Sequence, residues 1–295
     1  MRYEAACYHG TRPGTGTPLL PGVPRPTMVV ADLHAHTTVS DGTFTLDTLV
    51  AAAARADLDA VAVTDHDRVH PELDAPVVER DGVTVVRGIE LRVDTGPDSE
   101  RVDLLGYGVG DDPELRAECD RLRRDRVERG RRIVRRVERR LGVDLDVEPR
   151  EGLGRPHIAR AIDASDADYD YADAFERLIG NDGPCYVARD VTPVERGVDL
   201  LSGACAVVGL AHPFRYDDPA AALELCAAHD LDAVERFYPY AAGVDSDSER
   251  VEAFAADHGL LLTGGTDAHG ERLGVDGLDA ARWAAVRERL PEARS

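Results

Sequence analysis

Apolar residues occur in this chain as short runs, and run after run ends in a histidine or a carboxylate. From Val29 onward these runs alternate with stretches of helical periodicity. A first strand is predicted over 29–34. Leu46, Leu49, Val50 and Ala53 recur at helical spacing and predict a helix over 45–56. A second strand, 60–64, runs into Asp65, His66 and Asp67. A third, 83–86, runs into Gly88, Ile89 and Glu90, and a fourth covers 102–106. After a long interruption the rhythm returns. The stretch 204–210 ends in Ala211, His212 and Pro213, 233–235 leads to Phe237, and 260–263 ends in the segment from Gly264 to His269. Such alternation argues for parallel strands joined by crossover helices.

The interruption, 111 to about 200, reads as helical and strongly charged. Eleven arginines lie between Arg121 and Arg140, and Val127, Val134, Val137 and Leu141 hold one apolar stripe. One reading is a solvated amphipathic helix with Glu/Arg pairing at i,i+4. The other is a basic wall over a site that attracts an anionic substrate. Residues 1–27 are rich in Gly, Pro and Thr and lack periodicity, which predicts a flexible N-terminal arm.

Composition narrows the setting. A chain of 295 residues has room for one large barrel-type domain or two ordinary ones. Asp plus Glu is 56 against 35 basic residues, all of them arginine, for a net charge of -21. Excess acidic charge keeps a protein soluble where salt is abundant, so a high-salt cytoplasm is the expected setting. No apolar run is long enough to span a membrane and nothing resembles a signal peptide, so neither a membrane nor a stable protein partner is expected. The five cysteines are scattered without a CxxC pair, which argues against a disulfide framework.

The candidate chemistry sits at the strand ends. His34 and His36 are two residues apart, so on a strand both rings point to one face. Asp41 follows in the next loop. His66, Glu90, Asp103, His212, Asp267 and His269 then recur at later strand ends. In a barrel of parallel strands such ends converge on one face, and imidazole and carboxylate together are metal ligands. Five of the ten histidines belong to this set. His9, His70, His229 and His258 fall in the arm, a turn or on helices.

His34-Ala35-His36 with Ser40-Asp41-Gly42, then Thr64-Asp65-His66-Asp67, Gly88-Ile89-Glu90, Ala211-His212-Pro213 and Asp267-Ala268-His269 resemble the motif series of the PHP (polymerase and histidinol phosphatase) superfamily over roughly 28–275. The resemblance implies an α/β fold, a distorted (β/α)7 TIM-like barrel with a helical insertion. The barrel would comprise 28–110 and 201–295, and the insertion, as a lid, 111–200. It also implies two to three divalent ions (Mn, Zn, Fe or Mg). By analogy His34, His36 and Asp267 would serve one ion, Glu90, Asp103 and His212 a second, and Asp41, His66 and His269 a third.

The segments Gly154–Arg160 and Gly183–Arg189, with Arg215 after the Ala-His-Pro motif, are similar to the stand-alone phosphoesterase branch. That branch usually carries histidine where Asp103 stands. Aspartate is harder and more anionic, which favours Mn²⁺ or Mg²⁺. Arg155, Arg189 and Arg215 are candidate phosphate contacts, with ordinary ion pairs as the competing use of each. His157 is a candidate to cap its helix, touch substrate or protonate the leaving oxygen.

The implied activity is hydrolysis of phosphate esters by metal-activated hydroxide. Candidate substrates are small phosphorylated molecules, chiefly nucleotides: 3′,5′-bisphosphonucleosides or the 5′ ends of short oligonucleotides. The alternatives are a histidinol-phosphate-type phosphatase, an amidohydrolase-like metal hydrolase and a non-catalytic, metal-stabilised PHP module. A bridging carboxylated lysine is closed to this chain, which has no lysine.

Overall fold

Each buried apolar run becomes a strand of one curved sheet. The computed structural model describes residues 28–96, 100–148, 153–244, 246–270 and 272–294; the expected arm, 1–27, lies outside them. The first half holds β1 (Ala31–Asp32), α1 (Leu46–Arg55), β2 (Ala60–Val63), β3 (Val77–Arg80), β4 (Val83–Asp94) and β5 (Arg101–Tyr107). A helical segment follows with α2 (Pro113–Leu141), α3 (Arg155–Asp163) and α4 (Tyr171–Ala174). The second half holds β6 (Thr192–Pro193), α5 (Val194–Ala204), β7 (Val207–Leu210), α6 (Pro219–Ala228), β8 (Ala233–Phe237), α7 (Ser248–His258), β9 (Leu261–Gly264) and α8 (Ala280–Arg287).

The strand order is β1-β2-β4-β5-β7-β8-β9, with β3 and β6 attached to β4. Leu33 N donates to Gly264 O at 3.0 Å and His36 N to Ala268 O at 2.9 Å, which brings the β9 end back onto the β1 end. The result is a nearly closed, seven-stranded barrel. Closure needs Gly265: a Cβ there would stand 2.3 Å from His34 N.

The expectation of uniformly parallel strands fails at β5, which pairs antiparallel with both β4 and β7. The reason is length. Only residues 95–100 join β4 to β5, and a crossover needs a dozen or more. The hairpin β3–β4 is a second addition, turned by Asp81 and Gly82 at φ 51° and 79°. An Asp-Gly pair suits the two left-handed positions of such a turn. The first strand is shorter than expected, and the third runs on to Asp94.

Inside the barrel pack Leu33, Ala62, Leu105, Tyr107, Val207 and Ala233, all buried. The helical segment has its own apolar cluster, built on Ile133, Val134, Val137, Ile158, Ile162 and Leu178. Asp112 caps α2 by accepting from Leu115 N at 2.8 Å, and Gly142, at φ 71°, ends it. The charge pairs on α2 run at i,i+3 rather than i,i+4: Arg121 with Glu118, Arg123 with Asp120, Arg131 with Glu128. Among the described residues no helix is long and apolar enough to cross a membrane.

Candidate metal centre

The strand ends of the first half and the β7–β9 loops deliver their polar side chains to one place. Three overlapping groups have ligand atoms within 4.8 Å of one another: His36, Asp41, His66 and His269; His34, His36 and Glu90; Glu90, Asp103 and His212. Asp267 joins them, with Oδ1 3.0 Å from His36 Nε2 and 3.5 Å from His34 Nε2. All nine candidate ligands thus meet, although His36 reaches two groups and Glu90 also stands in two.

Two candidate ligands sit on backbone that L-residues rarely adopt. His212 has φ 28° and Asp267 φ 53°. Such positions cost energy and persist where the surroundings hold them. Here the backbone N–H of His212 is held by Glu235 Oε2 at 2.8 Å. Arg215 Nη1 and Tyr238 Oη donate to Asp267 Oδ2 at 3.0 and 2.9 Å, leaving Oδ1 turned to the histidines.

A shell of buried carboxylates orients the donors. Glu235 Oε1 takes Nδ1 of His34 at 3.0 Å. Asp65 accepts from Thr37 N, Thr37 Oγ1 and Ser40 Oγ at 2.6–2.8 Å and so fixes the loop that carries Asp41. Asp32 accepts from Thr266 N at 2.9 Å and Thr266 Oγ1 at 2.6 Å, tying the Asp267 loop to the first strand. Sequence reasoning missed Glu235, Asp65 and Asp32 as members of the site. Their signal was a lone carboxylate inside or directly after an apolar strand.

The electrostatics follow from crowding. Burial opposes charge on His34, yet Glu235 and Glu90 outweigh it and raise its pKa well above the ordinary value. Burial likewise opposes charge on His66, but Glu90 pushes it up to about 9. His36 goes the other way: burial dominates and lowers it. Burial would raise Glu90 and Asp41, but the surrounding histidines hold Glu90 well below the usual range and Asp41 at about 2.

Among the described residues of the cluster, His34 Nε2, both ring nitrogens of His36, Glu90 Oε2 and His212 Nδ1 are buried without a hydrogen-bond partner. Buried polar atoms in folded proteins are nearly always satisfied. Neutral imidazole nitrogens and carboxylate oxygens converging on one space are the donor set a divalent cation takes. The residues present therefore fit resident metal ions at the first two groups.

The expected phosphate contacts divide. Arg215 stands at the rim on Asp267, its side chain 51% exposed. Arg189 pairs with Asp67, and Arg126 Nη2 donates to the same Asp67 oxygen at 2.7 Å, so the ion-pair alternative is the contact seen. Burial would raise the Asp67 pKa, but Arg189 and Arg126 lower it. Arg155 donates to Ile179 O at 3.3 Å and Asn181 Oδ1 at 2.9 Å and lies over Tyr186. His157 Nδ1 accepts from Gly154 N at 3.3 Å, a helix-capping contact. The contacts described for these two residues lie within the helical segment and include no candidate ligand. Helix α2 borders the site all the same: Arg123 and Arg126 line a cavity of about 40 Å³ with Ser40, His66 and Asp67.

Known proteins resemble this chain along most of its length. The PHP domain family matches residues 32–171. A phosphoribosyl 1,2-cyclic phosphate 1,2-diphosphodiesterase from Eggerthella lenta is 30% identical over 254 residues, covering 82% of this chain and 95% of that protein. A 3′,5′-nucleoside bisphosphate phosphatase from Chromobacterium violaceum is 30% identical over 253 residues, covering 82% and 88%. A solved structure from Bifidobacterium adolescentis, assigned as a metal-dependent phosphoesterase, superposes with a TM-score of 0.68 at 26% identity, covering 89% of this chain and 96% of that one. With the motif order, the barrel and the converging ligands in agreement, the chain belongs to the PHP domain family.

Proposed function

We propose that this chain is a metal-dependent phosphoesterase acting on small phosphorylated molecules, with 3′,5′-bisphosphonucleosides as the first candidates and 5′ ends of short oligonucleotides next. The observation that carries the reading is the set of buried, unpartnered atoms on His34, His36 and Glu90. Keeping such atoms dry and without a hydrogen bond is costly, which supports a cation site there. The two relatives, by their names, cleave phosphate esters, one cyclic and one a nucleoside bisphosphate.

Divalent ions bound there would supply Lewis acidity to the ester oxygens and lower the pKa of water. The chain's own groups supply position and charge. Glu235 fixes the His34 ring so that Nε2 faces the cluster. Tyr238 and Arg215 hold one oxygen of Asp267 and free the other. The half-exposed Arg215 guanidinium beside Asp267 supports a contact to a phosphate oxygen, which a planar fork of donors suits. Two guanidiniums meet one carboxylate at Asp67, a surplus of positive charge that supports attraction of an anion beside His66. Arg155 and His157 are outside this proposal because their contacts lie within the helical segment.

The test is phosphate release by the purified chain loaded with Mn²⁺ and assayed in molar KCl. The substrates are a 3′,5′-bisphosphonucleoside, a 5′-phosphorylated trinucleotide and an aryl phosphate. Release from one or more of them is expected. Absence of turnover with Mn²⁺, Mg²⁺, Zn²⁺ and Fe²⁺ alike overturns the reading.

A further inference from the structure

The group formed by Glu90, Asp103 and His212 differs from its neighbours in one respect. A single guanidinium takes both oxygens of Asp103: Arg92 Nε donates to Oδ1 at 2.8 Å and Nη2 to Oδ2 at 2.5 Å. The pair is built into the sheet, because Arg92 and Asp103 stand opposite each other in the antiparallel β4–β5 register. Asp103 is 1% exposed, and Tyr216 Oη accepts its backbone N–H at 2.8 Å. Neither residue of the fork is free to turn away without leaving a buried carboxylate unpaired.

The histidine of the group is engaged as well. His212 Nε2 lies 3.0 Å from Glu90 Oε1, in hydrogen-bond contact, and 3.8 Å from Asp103 Oδ2. Of the orphaned atoms, His34 Nε2 and both His36 nitrogens belong to the other two groups and Glu90 is shared between groups; His212 Nδ1 is orphaned as well, but the ring turns Nε2, not Nδ1, to Glu90 and Asp103. A bidentate guanidinium neutralises the carboxylate it grips and repels a second cation on the far side.

We infer that Arg92 supplies the positive charge of this third group, so that the chain carries two tightly held divalent ions rather than three. Glu90 then serves one ion directly and is steadied on its other oxygen by His212. Arg92 becomes a positioning residue: it fixes Asp103 and keeps positive charge beside the cluster without a metal. The inference rests on the reading that the cluster holds metal, not on which ester is cleaved.

Metal content tests it without turnover. The full chain is loaded with excess Mn²⁺ and desalted, and manganese per chain is measured by plasma mass spectrometry, with calorimetry following each binding event. Two ions per chain are expected, any third binding at least ten times more weakly. Arg92→Leu should raise the tight count to three, and Asp103→Asn should leave it at two. If Arg92→Leu does not fold, the double variant Arg92→Ser with Asp103→His removes the fork and supplies a neutral donor; it should also hold three. Three tight ions in the unaltered chain, or two in every folded Arg92 variant, overturn the inference while the metal reading stands. No bound ion in any form overturns both.

Discussion

Glu235 Oε1 lies 3.0 Å from Nδ1 of His34, and both side chains are fully buried. The contact leaves Nε2 as the only ring atom of His34 available to a metal and sets its direction. A carboxylate behind a ligating histidine fixes the tautomer and raises ligand basicity, and its loss typically costs about 10–100-fold in metal affinity. Glu235→Ala is therefore expected to weaken Mn²⁺ binding by about that factor, and Glu235→Gln, which keeps an acceptor, by less. Titration calorimetry measures both, and unchanged affinity in Glu235→Ala would refute this role.

Metal should also stabilise the fold. The apo site confines five histidines and the carboxylates of Asp41, Glu90 and Asp267 with several ligand atoms unpaired. A ligand at 100 times its Kd adds about 2.7 kcal/mol to a state that alone binds it. For a chain of this size that corresponds to a rise in Tm of roughly 5–10 °C. A thermal melt with saturating Mn²⁺ against one with EDTA reads the difference. Equal melting temperatures would mean that the cluster holds no ion in the folded state.

What the sequence disclosed was the set of candidate ligands. His34 and His36 are legible because strand periodicity aims them together, and His66, Glu90, His212 and His269 because each follows an apolar run. The supporting residues were not, since their function lies in contacts across the chain. Glu235 meets His34 from 201 positions away, and Arg189 meets Asp67 from 122. The antiparallel β5 was hidden for another reason. An apolar strand looks the same in either direction, and only the short 95–100 connection shows that it turns back.

Asp67 fastens the helical segment to the barrel. It sits directly after the second-strand motif, at φ 52°, and grips Arg126 of α2 and Arg189 with one carboxylate oxygen. Asp67→Asn keeps the shape and removes the charge, leaving two guanidiniums facing each other. Both arginine side chains are partly exposed, at 38% and 18%, so solvent screens part of the loss. A cost of about 1–3 kcal/mol is expected, with the damage local. Limited proteolysis should cut the variant sooner within 111–200 than within the barrel. An unaltered digestion pattern and Tm would show that the pair fastens nothing.

His36 stands in both groups inferred to hold an ion, and Glu90 joins one of them to the Asp103 and His212 group, so each single substitution disturbs more than one part of the cluster. His36→Ala and Glu90→Ala are expected to lower phosphate release by at least about 100-fold, beyond the loss of a supporting contact. The His36 backbone N–H still donates to Ala268 O at 2.9 Å, so the barrel should remain folded. Circular dichroism checks the fold and a phosphate assay the rate. Unchanged turnover in either variant would remove that residue from the ligand set.

Salt should govern stability more than any single contact. The chain carries 56 acidic side chains against 35 arginines, and many of those arginines are already committed to local partners: Arg121 to Glu118 and Asp190, Arg126 and Arg189 to Asp67, Arg92 to Asp103. The remaining surplus of -21 repels itself across the surface. At 0.1 M salt charges interact over about 10 Å, and at 1 M over about 3 Å, so molar salt removes most of that repulsion while disturbing less the fork that Arg92 makes on the buried Asp103. The melting temperature should accordingly rise from 0.1 M to 2 M KCl. Sodium chloride should act alike, because screening depends on ionic strength and not on the cation. A Tm highest in dilute buffer would mean that the acidic surface is balanced in a way that its charge count does not reveal.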